Sequence, residues 1–318
     1  MPRRRFAVAT LLASSAVATA DSRVDLGAPA VGHEATAIVG GENVPPGMWP
    51  DTVAVLGDSG ACTGTLIAPD VVLTAGHCAQ INPTQVIAAT TDYASSGGIR
   101  VNVVKTTAYP NWQTSYDVAV LVLATPVTSV PPRKVGTSCT FKLFQPDTAV
   151  RLVGFGATSM DGTAANTQLK QAMTAVTDPD CSSGNGCNTA VAPGGEFIAG
   201  GTGTADSCYG DSGGPVYLET ARGTVVVGAV SRGVANSTTP CGGGGIYVRT
   251  DNLIEWIETT TGKTIAQDTC ATDDTGAPQD EEQAKSDELG GCSAGSGSTG
   301  VGVALLLAFA FVRRRRSA

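Results

Sequence analysis

The hexapeptide Gly210-Asp211-Ser212-Gly213-Gly214-Pro215 is the most informative stretch of this 318-residue sequence. A serine hydroxyl is a weak nucleophile, and it needs an adjacent base and a site for the developing oxyanion. The glycines around Ser212 allow a sharp turn that aims backbone N–H groups at one point. An ordinary Gly/Ser turn between strands has a similar sequence, so the hexapeptide alone indicates a nucleophile without establishing one.

Two earlier segments contain the other groups that such a serine would need. Leu73-Thr74-Ala75-Gly76-His77-Cys78 places a histidine beside a cysteine. No second histidine lies in the predicted mature chain, so His77 suits the role of a general base better than that of a metal ligand. Asp117 precedes the apolar run Val118–Leu121. Taken by itself, Asp117 is more typical of a solvated turn residue than of a catalytic one.

Between Ile38 and about Gly262, brief β-branched or apolar runs alternate with turn residues. Such runs at short spacing, without alternating helical segments, predict an all-β fold with an antiparallel barrel or sandwich. Only Asn252–Glu258 indicates a helix, because its apolar residues gather on one side. The predicted strands are Thr52–Leu56, Val71–Thr74, Val86–Ala89, Val101–Thr106, Val118–Leu123, Val150–Val153, Pro215–Leu218 and Val225–Val230.

Together these segments resemble the chymotrypsin/trypsin family of serine proteases, in which the histidine, the aspartate and the serine follow in this order. The resemblance runs from Ile38 to about Thr260 and includes the segment Ile38-Val39-Gly40-Gly41 at its start. It implies two antiparallel β-barrels with the active site between them and a short C-terminal helix. The implied function is that of a serine endopeptidase.

The resemblance also implies a role for each candidate residue. Ser212 would attack the scissile carbonyl, His77 would transfer the proton, and Asp117 would orient and stabilise the imidazolium. The backbone N–H groups of Gly210 and Ser212 would form the oxyanion hole. No cofactor is implied. No metal site is expected either, because the residues after His77 lack the paired acidic groups of the family's calcium loop.

Ile38 and Asp211 match the residues by which this family activates a zymogen. Cleavage of the Ala37–Ile38 bond would free an ammonium group that pairs with the carboxylate of Asp211. A buried carboxylate without a partner costs about 3–5 kcal/mol, which would keep the precursor's oxyanion hole unformed. An enzyme that cuts after basic residues should not cut after alanine. We therefore expect a separate activating protease that prefers small residues.

The resemblance suggests a preference for Arg or Lys in the substrate. Asp206 lies six residues before the predicted nucleophile, at the position that forms the floor of the primary pocket in trypsin-like members. A carboxylate there favours a basic side chain. Gly233, after Ser231-Arg232, and Gly245 match small wall residues that leave the pocket open. A surface aspartate in a Gly/Thr-rich loop is the alternative for Asp206.

Arg232 departs from the family, which usually has Trp at this position beside the pocket. A cation there is expected either to disfavour basic residues elsewhere in the substrate or to offset part of the charge of Asp206. A serine protease of non-tryptic specificity is therefore the first alternative function. An inactive homologue acting as a binding or adhesion module is the second, although His77 and Ser212 are both present.

Nine cysteines without any CxxC pair indicate disulfides in an oxidising compartment rather than a metal site. The family resemblance implies the pairs Cys62–Cys78 and Cys208–Cys241. The cysteine that family members have near residues 197–198 is missing, so Cys187 is the nearest substitute partner for Cys181. A pair of Cys139 with Cys270 would then tie the start of the C-terminal segment back to the barrels.

The N-terminus predicts export. Arg3–Arg5 precede the apolar run Phe6–Val17 and a small-x-small cleavage signal. Residues 1–20 are therefore a predicted signal peptide, residues 21–37 a prosegment, and residues 38–265 the protease domain. The net charge of −8 argues against a nucleic acid as partner, which leaves protein or peptide substrates.

The C-terminus predicts attachment to a membrane. Residues 266–292 are acidic and poor in large apolar side chains, which indicates an extended linker, with a binding tail as the alternative. Within residues 293–318, an apolar stretch precedes Arg313–Arg316, as in a transmembrane helix that leaves the catalytic region outside. This tail resembles a MYXO-CTERM sorting signal, in which Cys292 would be the processing site. The expected location is the cell surface, the outer membrane or the medium.

Overall fold

The computed structural model of the protein describes residues 38–201 and 203–269. The predicted signal peptide, the prosegment, the C-terminal helix and the sorting residue Cys292 lie outside these described residues. Within the described ranges, no helix is both long enough and apolar enough to cross a bilayer.

The described chain is built almost entirely of short strands. One α-helix, α1 (Ile254–Thr261), follows the last of them, and single turns of 3₁₀-helix occur at His77–Ile81, Trp112–Thr114, Thr140–Leu143 and Asp251–Leu253. The strands are β1 (Glu42–Asn43), β2 (Thr52–Gly57), β3 (Gly60–Ala68), β4 (Val71–Thr74), β5 (Pro83–Ala88), β6 (Ile99–Ala108), β7 (Ala119–Leu123), β8 (Ala149–Gly154), β9 (Lys170–Asp178), β10 (Glu196–Ala199), β11 (Pro215–Thr220), β12 (Gly223–Gly233) and β13 (Gly245–Arg249).

The first barrel closes in the spatial order β2, β3, β4, β7, β6 and β5, with every pair antiparallel. Its interior is dominated by β-branched side chains such as Val53, Val72 and Val86, which are buried. These side chains pack well on a pleated surface, which explains their frequency here. Closure pairs both edges of each strand, so the barrel needs no covering layer to protect an edge.

The second barrel consists of β8, β9, β10, β13, β12 and β11, and β8 closes it by pairing with both β9 and β11. Strand β1 extends this sheet beyond β9. The interior holds the stacked rings of Phe197 and Tyr247, whose centroids lie 5.2 Å apart. The prediction of an all-β fold with two antiparallel barrels and a short C-terminal helix is confirmed.

The two barrels share one buried apolar cluster, in which Leu73 and Val120 of the first barrel accompany Val153 and Tyr217 of the second. Tyr217 donates a hydrogen bond to Oδ2 of Asp51 across this interface, at 2.6 Å. Because both side chains are buried, breaking this bond would leave a polar group without water. The interface therefore keeps the facing ends of the barrels in register with each other.

Helix α1 begins two residues later and ends three residues later than the sequence predicts. The preceding residues 251–253 form a tighter 3₁₀ turn instead. The end is set by Gly262, whose φ of 67° is the left-handed conformation that glycine adopts without cost. Its N–H closes the last turn on the carbonyl of Glu258 at 2.8 Å.

The first residues of the predicted linker pack against the second barrel. Val135 donates its N–H to Ala266 and accepts one from Asp268, at 2.8 and 2.9 Å. The buried carboxylate of Asp268 forms an ion pair with Arg222 at 2.9 Å and accepts a hydrogen bond from Thr140. Residues 266–268 are therefore fixed to the predicted protease domain by main-chain hydrogen bonds and by a buried ion pair. The remaining domain boundaries stay a prediction.

Candidate active site

His77 and Asp117 are brought together by the register of two strands. Strands β4 and β7 are antiparallel, with Thr74 opposite Ala119. His77 follows β4 and Asp117 precedes β7, so both residues lie at the same end of the first barrel. Nδ1 of His77 lies 2.8 Å from Oδ2 of Asp117, and the His77 N–H donates to Oδ1 at 2.9 Å.

The carboxylate of Asp117 is buried and accepts three hydrogen bonds. The third comes from the hydroxyl of Ser231, which donates to Oδ2 at 2.7 Å. Burial acts to raise the pKa of Asp117, but the hydrogen bonds from His77 and Ser231 and the attraction to His77 hold it below its ordinary value. Asp117 is therefore a fixed anion beside the imidazole, and its hydrogen bond restricts the orientation of the ring.

Gly76 makes room for this pair. A Cβ at this position would lie 2.8 Å from Cβ of Trp112 and 3.0 Å from Oδ1 of Asp117. Both distances are shorter than ordinary contacts, so any larger residue would push Trp112 or Asp117 aside. The glycine that precedes His77 in the sequence is thus required by the close approach of the carboxylate.

Ser212 is half-buried in the turn that precedes β11, and this turn packs against the first barrel. Thr63 of β3 donates its N–H to the carbonyl of Ser212 at 3.0 Å, and Gly213 donates to Val230 at 2.8 Å. Gly213 has a φ of 77°, and a Cβ there would overlap the hydroxyl of Thr74. The turn is therefore held against the end of β4, three residues before His77.

The hydroxyl of Ser212 and the ring of His77, both in the described part of the chain, are not hydrogen-bonded to each other. In enzymes without substrate such contacts are often long and tighten only in the complex. Among residues 38–201 and 203–269, the N–H groups of Gly210 and Ser212 donate no hydrogen bond. Gly210 has a φ of 96°, a conformation open to glycine, and its carbonyl accepts a bond from Thr63.

The carboxyl of Asp211 is fully buried beneath this turn. It accepts hydrogen bonds from the N–H groups of Gly156 and Cys208, at 2.8 and 2.9 Å. Burial raises the pKa of Asp211 to about 7, because these two bonds only partly replace the lost hydration. A Cβ at Gly154 or Gly156 would overlap this carboxyl, which explains both glycines around Phe155.

Ile38, the predicted first residue of the mature chain, is buried in the apolar interior of the second barrel. The next residue, Val39, accepts a hydrogen bond from the N–H of Asp206 at 3.1 Å. The start of the domain therefore lies beside the segment that carries Asp206 and Asp211, the two acidic residues selected from the sequence.

The carboxylate of Asp206 is buried against the glycine-rich segment that follows Cys241. Its Oδ2 accepts the N–H groups of Gly242 and Gly244 at 2.9 and 3.0 Å, and Oδ1 accepts the N–H of Ser207 at 2.8 Å. Burial raises the pKa of Asp206, and the backbone donors oppose this effect. Sequence reasoning missed the amides of Gly242 and Gly244, since backbone donors leave no residue-type signal.

The other predicted pocket residues, Ser231 and Gly233, lie at the end of β12, where Gly233 pairs with Gly245 of β13. The side chain of Ser231 points to Asp117, so it joins the histidine–aspartate pair. Gly245 is required by a close approach, since a Cβ there would overlap the hydroxyl of Tyr247.

Arg232 is paired, a feature that the sequence did not predict. Its guanidinium forms a two-pronged ion pair with the buried carboxylate of Glu196, at 2.7 and 2.9 Å. It also donates to the carbonyl of Gly186 at 2.9 Å. The charge of Arg232 is therefore compensated by Glu196, and the contacts of its guanidinium are with Glu196, Gly186 and Ser231.

Two open clefts border the candidate site, one at Asp117 and the other at Gly210. One, of about 510 Å³, is lined by Trp112, Asn188 and Arg232 and reaches Asp117. The other, of about 260 Å³, is lined by Tyr93, Tyr209 and Gly210 among others.

Three disulfides are present in the described ranges: Cys62–Cys78, Cys181–Cys187 and Cys208–Cys241. The first ties β3 to the turn that begins at His77. Cys139 is also disulfide-bonded, and its predicted partner Cys270 lies outside the described residues. His77 lies close to the sulfurs of Cys62 and Cys78, but their disulfide leaves no thiolate to bind a metal.

Two antiparallel barrels, with a histidine–aspartate pair on one and a glycine-flanked serine on the other, define a chymotrypsin-like hydrolase. The family model for trypsin matches residues 38–257. A trypsin of Saccharopolyspora erythraea is 32% identical over 236 residues, which cover 69% of this chain and 98% of that protein. Transmembrane protease serine 5 of Homo sapiens is 29% identical over 245 residues, 71% of this chain and 52% of that protein. The chain belongs to the trypsin family of serine proteases.

Proposed function

We propose that this serine protease is an endopeptidase that cuts after Arg or Lys through an acyl-enzyme intermediate. The observation that carries the proposal is the hydrogen-bonded pair of His77 and Asp117, with the turn of Ser212 packed against the strand that leads to His77. If His77 and Asp117 were ordinary surface residues, the carboxylate of Asp117 would not be expected to be buried and to accept three hydrogen bonds.

In the proposed mechanism, His77 removes the proton of Ser212 as its Oγ attacks the scissile carbonyl. The N–H groups of Gly210 and Ser212 stabilise the oxyanion, and they are supported in this role by having no other acceptor among the described residues. The protonated His77 then gives its proton to the leaving amine. A water molecule attacks the acyl-enzyme with His77 again as base, which releases the product and restores Ser212.

The preference for Arg or Lys rests on the environment of Asp206. Its carboxylate is buried, its hydrogen bonds come from neutral groups, and its pKa is raised. A basic substrate side chain would supply the missing positive charge, and the resulting charge-assisted hydrogen bond is stronger than a neutral one. An apolar side chain would leave the buried carboxylate uncompensated.

Activation at Ala37–Ile38 is part of the proposal. Asp211 is buried with two neutral donors and a pKa of about 7, so a nearby ammonium group would strongly favour its ionised form. We further propose export through residues 1–20, removal of a 21–37 prosegment by another protease, and surface attachment through the segment after residue 292. In this arrangement, residues 266–292 form the linker between the protease domain and the membrane-attached tail.

A substrate panel tests the function directly. Protein that begins at Ile38 is titrated with an organophosphate serine reagent and then assayed on chromogenic peptides ending in Arg, Lys, Phe or Ala. We expect stoichiometric labelling and turnover of the Arg and Lys peptides, both abolished in Ser212→Ala. Labelling together with faster turnover of the Phe or Ala peptides would instead indicate a serine protease of non-tryptic specificity. Absence of labelling would leave only a binding role.

The activation step has its own test. Purified precursor incubated alone should keep its original N-terminus, because a basic-specific enzyme does not cut after Ala37. Spontaneous appearance of an Ile38 N-terminus that disappears in the Ser212→Ala precursor would contradict a separate activating protease.

A further inference from the structure

A continuous chain of hydrogen bonds links Arg232 to the histidine–aspartate pair. Nη1 of Arg232 lies 3.0 Å from Oγ of Ser231, and this oxygen lies 2.7 Å from Oδ2 of Asp117. The same Oδ2 is 2.8 Å from Nδ1 of His77. Ser231 and Asp117 are buried, so water does not compete strongly for these bonds.

The direction of these bonds follows from the inventory of protons. A guanidinium has five N–H donors and no acceptor, whereas a serine hydroxyl has one proton and two lone pairs. The contact between Arg232 and Ser231 must therefore use a lone pair of Ser231. The single hydroxyl proton of Ser231 is then left for the carboxylate of Asp117, which can only accept.

We propose that Arg232 is a positioning residue of the active site, which commits the hydroxyl proton of Ser231 to Asp117 and so fixes the carboxylate that orients His77. The inference rests on the proposed function, because it assumes that Asp117 supports His77 in catalysis. Arg232 itself need not touch the reacting atoms.

Glu196 keeps the guanidinium in place for this role. Its fully buried carboxylate binds both Nη atoms of Arg232, and its Oε2 also accepts the N–H of Asn188 at 2.7 Å. This two-pronged ion pair fixes the plane of the guanidinium, because two parallel hydrogen bonds allow little rotation. Ser231 therefore meets a donor of defined direction instead of a mobile cation.

Loss of Arg232 should lower kcat through Ser231 and leave substrate binding nearly unchanged. Without a donor, the hydroxyl of Ser231 can rotate, and Asp117 loses one of its three hydrogen bonds for part of the time. A hydrogen bond of this kind corresponds to roughly a three- to tenfold change in rate. We expect Arg232→Met to lower kcat by about this factor, with KM changed by less than about twofold.

A double-mutant cycle separates this role from a merely structural one. Wild type, Ser231→Ala, Arg232→Met and the double variant are titrated with the organophosphate reagent, so that kcat refers to active enzyme. If Arg232 acts through Ser231, Arg232→Met has almost no further effect once Ser231 is alanine. Equal effects in both backgrounds would overturn the proposal, as would a loss confined to KM.

Two controls make the result interpretable. Arg249→Met removes another half-buried arginine, paired with Asp251 at 2.8 Å on the adjacent strand, and should leave kcat unchanged. If Arg232→Met does not fold because Glu196 is left unpaired, Arg232→Met is combined with Glu196→Gln in both the wild-type and the Ser231→Ala background, so that the two reference proteins keep the intact ion pair. An inert wild type would refute the proposed function itself, whereas an active wild type with additive effects would refute only the positioning role.

Discussion

At the scale of single residues, the site depends on carboxylates whose surroundings set different tasks. The pKa of Asp117 is lowered by its hydrogen bonds and by His77 despite burial, whereas burial raises the pKa values of Asp206 and Asp211, whose hydrogen-bond donors are neutral. Asp117 is thus held as an anion. Asp206 and Asp211 would each be stabilised in the ionised form by a nearby cation, which the described residues do not supply. On the proposed function, these cations are the substrate side chain and the new N-terminus.

Replacing the anion beside His77 should remove most of the activity without unfolding the protein. In Asp117→Asn, an amide N–H can face Nδ1 of His77 and favour the tautomer that cannot accept the Ser212 proton. We expect kcat to fall by about 10³–10⁴-fold on an Arg peptide, with a nearly unchanged Tm. Asp58→Asn, on the exposed turn between β2 and β3, is the matched control and should retain full activity. Retention of activity in Asp117→Asn contradicts the assigned role.

The carboxyl of Asp211 should give the uncleaved precursor a specific pH dependence. Its pKa is about 7 in the fold and has the ordinary value of 3.8 in an unfolded chain. Between these values the folded chain binds a proton that the unfolded chain does not, so stability decreases as pH rises. The slope approaches about 1.4 kcal/mol per pH unit and vanishes above the folded pKa.

Urea denaturation at several pH values measures this effect. Asp211→Asn keeps the shape of the side chain without a titrating proton, so the free energy of unfolding of the precursor relative to this variant should decrease between about pH 4 and 7. A difference independent of pH would show that Asp211 does not titrate in this range.

At the scale of elements, the turn before β11 is as important as the strands that it joins. Gly213 combines a positive φ with close contact to Thr74 and Ala75 of the first barrel. Gly223, the first residue of β12, also has a positive φ, but a Cβ there would have no atom within 4 Å. Comparing alanine substitutions at Gly213 and Gly223 therefore separates the cost of backbone strain from the cost of steric overlap.

We expect Gly213→Ala to destabilise the protein by more than Gly223→Ala, for which strain alone predicts about 1–2 kcal/mol. Gly213→Ala should also abolish activity, because the overlap displaces the turn of Ser212, whereas Gly223→Ala should remain active. Urea denaturation and organophosphate titration measure the two effects. Equal stabilities of the two variants would contradict the close packing of this turn.

The strands that were predicted contain brief runs rich in β-branched or apolar residues. Strand β4 has the predicted bounds, and seven further runs lie on β2, β5, β6, β7, β8, β11 and β12. Strand β3 was missed because Gly60 and Gly64 interrupt its apolar pattern. Strand β9 was missed because polar side chains such as Lys170, Gln171 and Thr174 interrupt its apolar pattern. Strands β10 and β13 were also missed, although each contains a short apolar run. These segments form strands because they hydrogen-bond to neighbouring strands, and a single sequence does not reveal which segments pair.

The candidate site was predictable only where side chains carry the chemistry. His77 and Asp117 were selected from the sequence and lie in hydrogen-bonding contact. The role of Glu196 was not predicted, since its partner Arg232 lies 36 residues away in the chain. The contact of Arg232 with its neighbour Ser231 was not predicted either, because adjacent side chains on a strand normally point to opposite faces. A buried acid on the short strand β10 is the one signal that could have suggested an ion pair there, because isolated buried charges are costly.

At the scale of the whole molecule, the catalytic region extends beyond its second barrel. Asp268 is buried and bound to Arg222 and Thr140. The hydrogen bond and attraction from Arg222 lower the pKa of Asp268 despite its burial. The segment after α1 thereby returns to the barrel and contributes to the stability of the fold.

Asp268→Asn should lower the free energy of unfolding of the full chain by about 1–3 kcal/mol, because the buried ion pair between Asp268 and Arg222 is lost. Asp161→Asn, on an exposed loop, is the control and should have a clearly smaller effect. Chemical denaturation at neutral pH compares the variants. Equal stability of Asp268→Asn and wild type would place the end of the structural unit at Ile265.

The alignment of β4 with β7 also bears on how this scaffold could be altered. A slip by two positions would keep every inward-facing side chain facing inward, yet it would separate His77 from Asp117 by roughly 7 Å. The chemistry thus depends on a ladder of main-chain bonds. The connection between β4 and β7 contains β5 and β6, which close the barrel, so only its loops are open to change. Redesign of the loop before Asp117, which lines the larger cleft, could change which peptides are accepted while the alignment of β4 with β7 is kept.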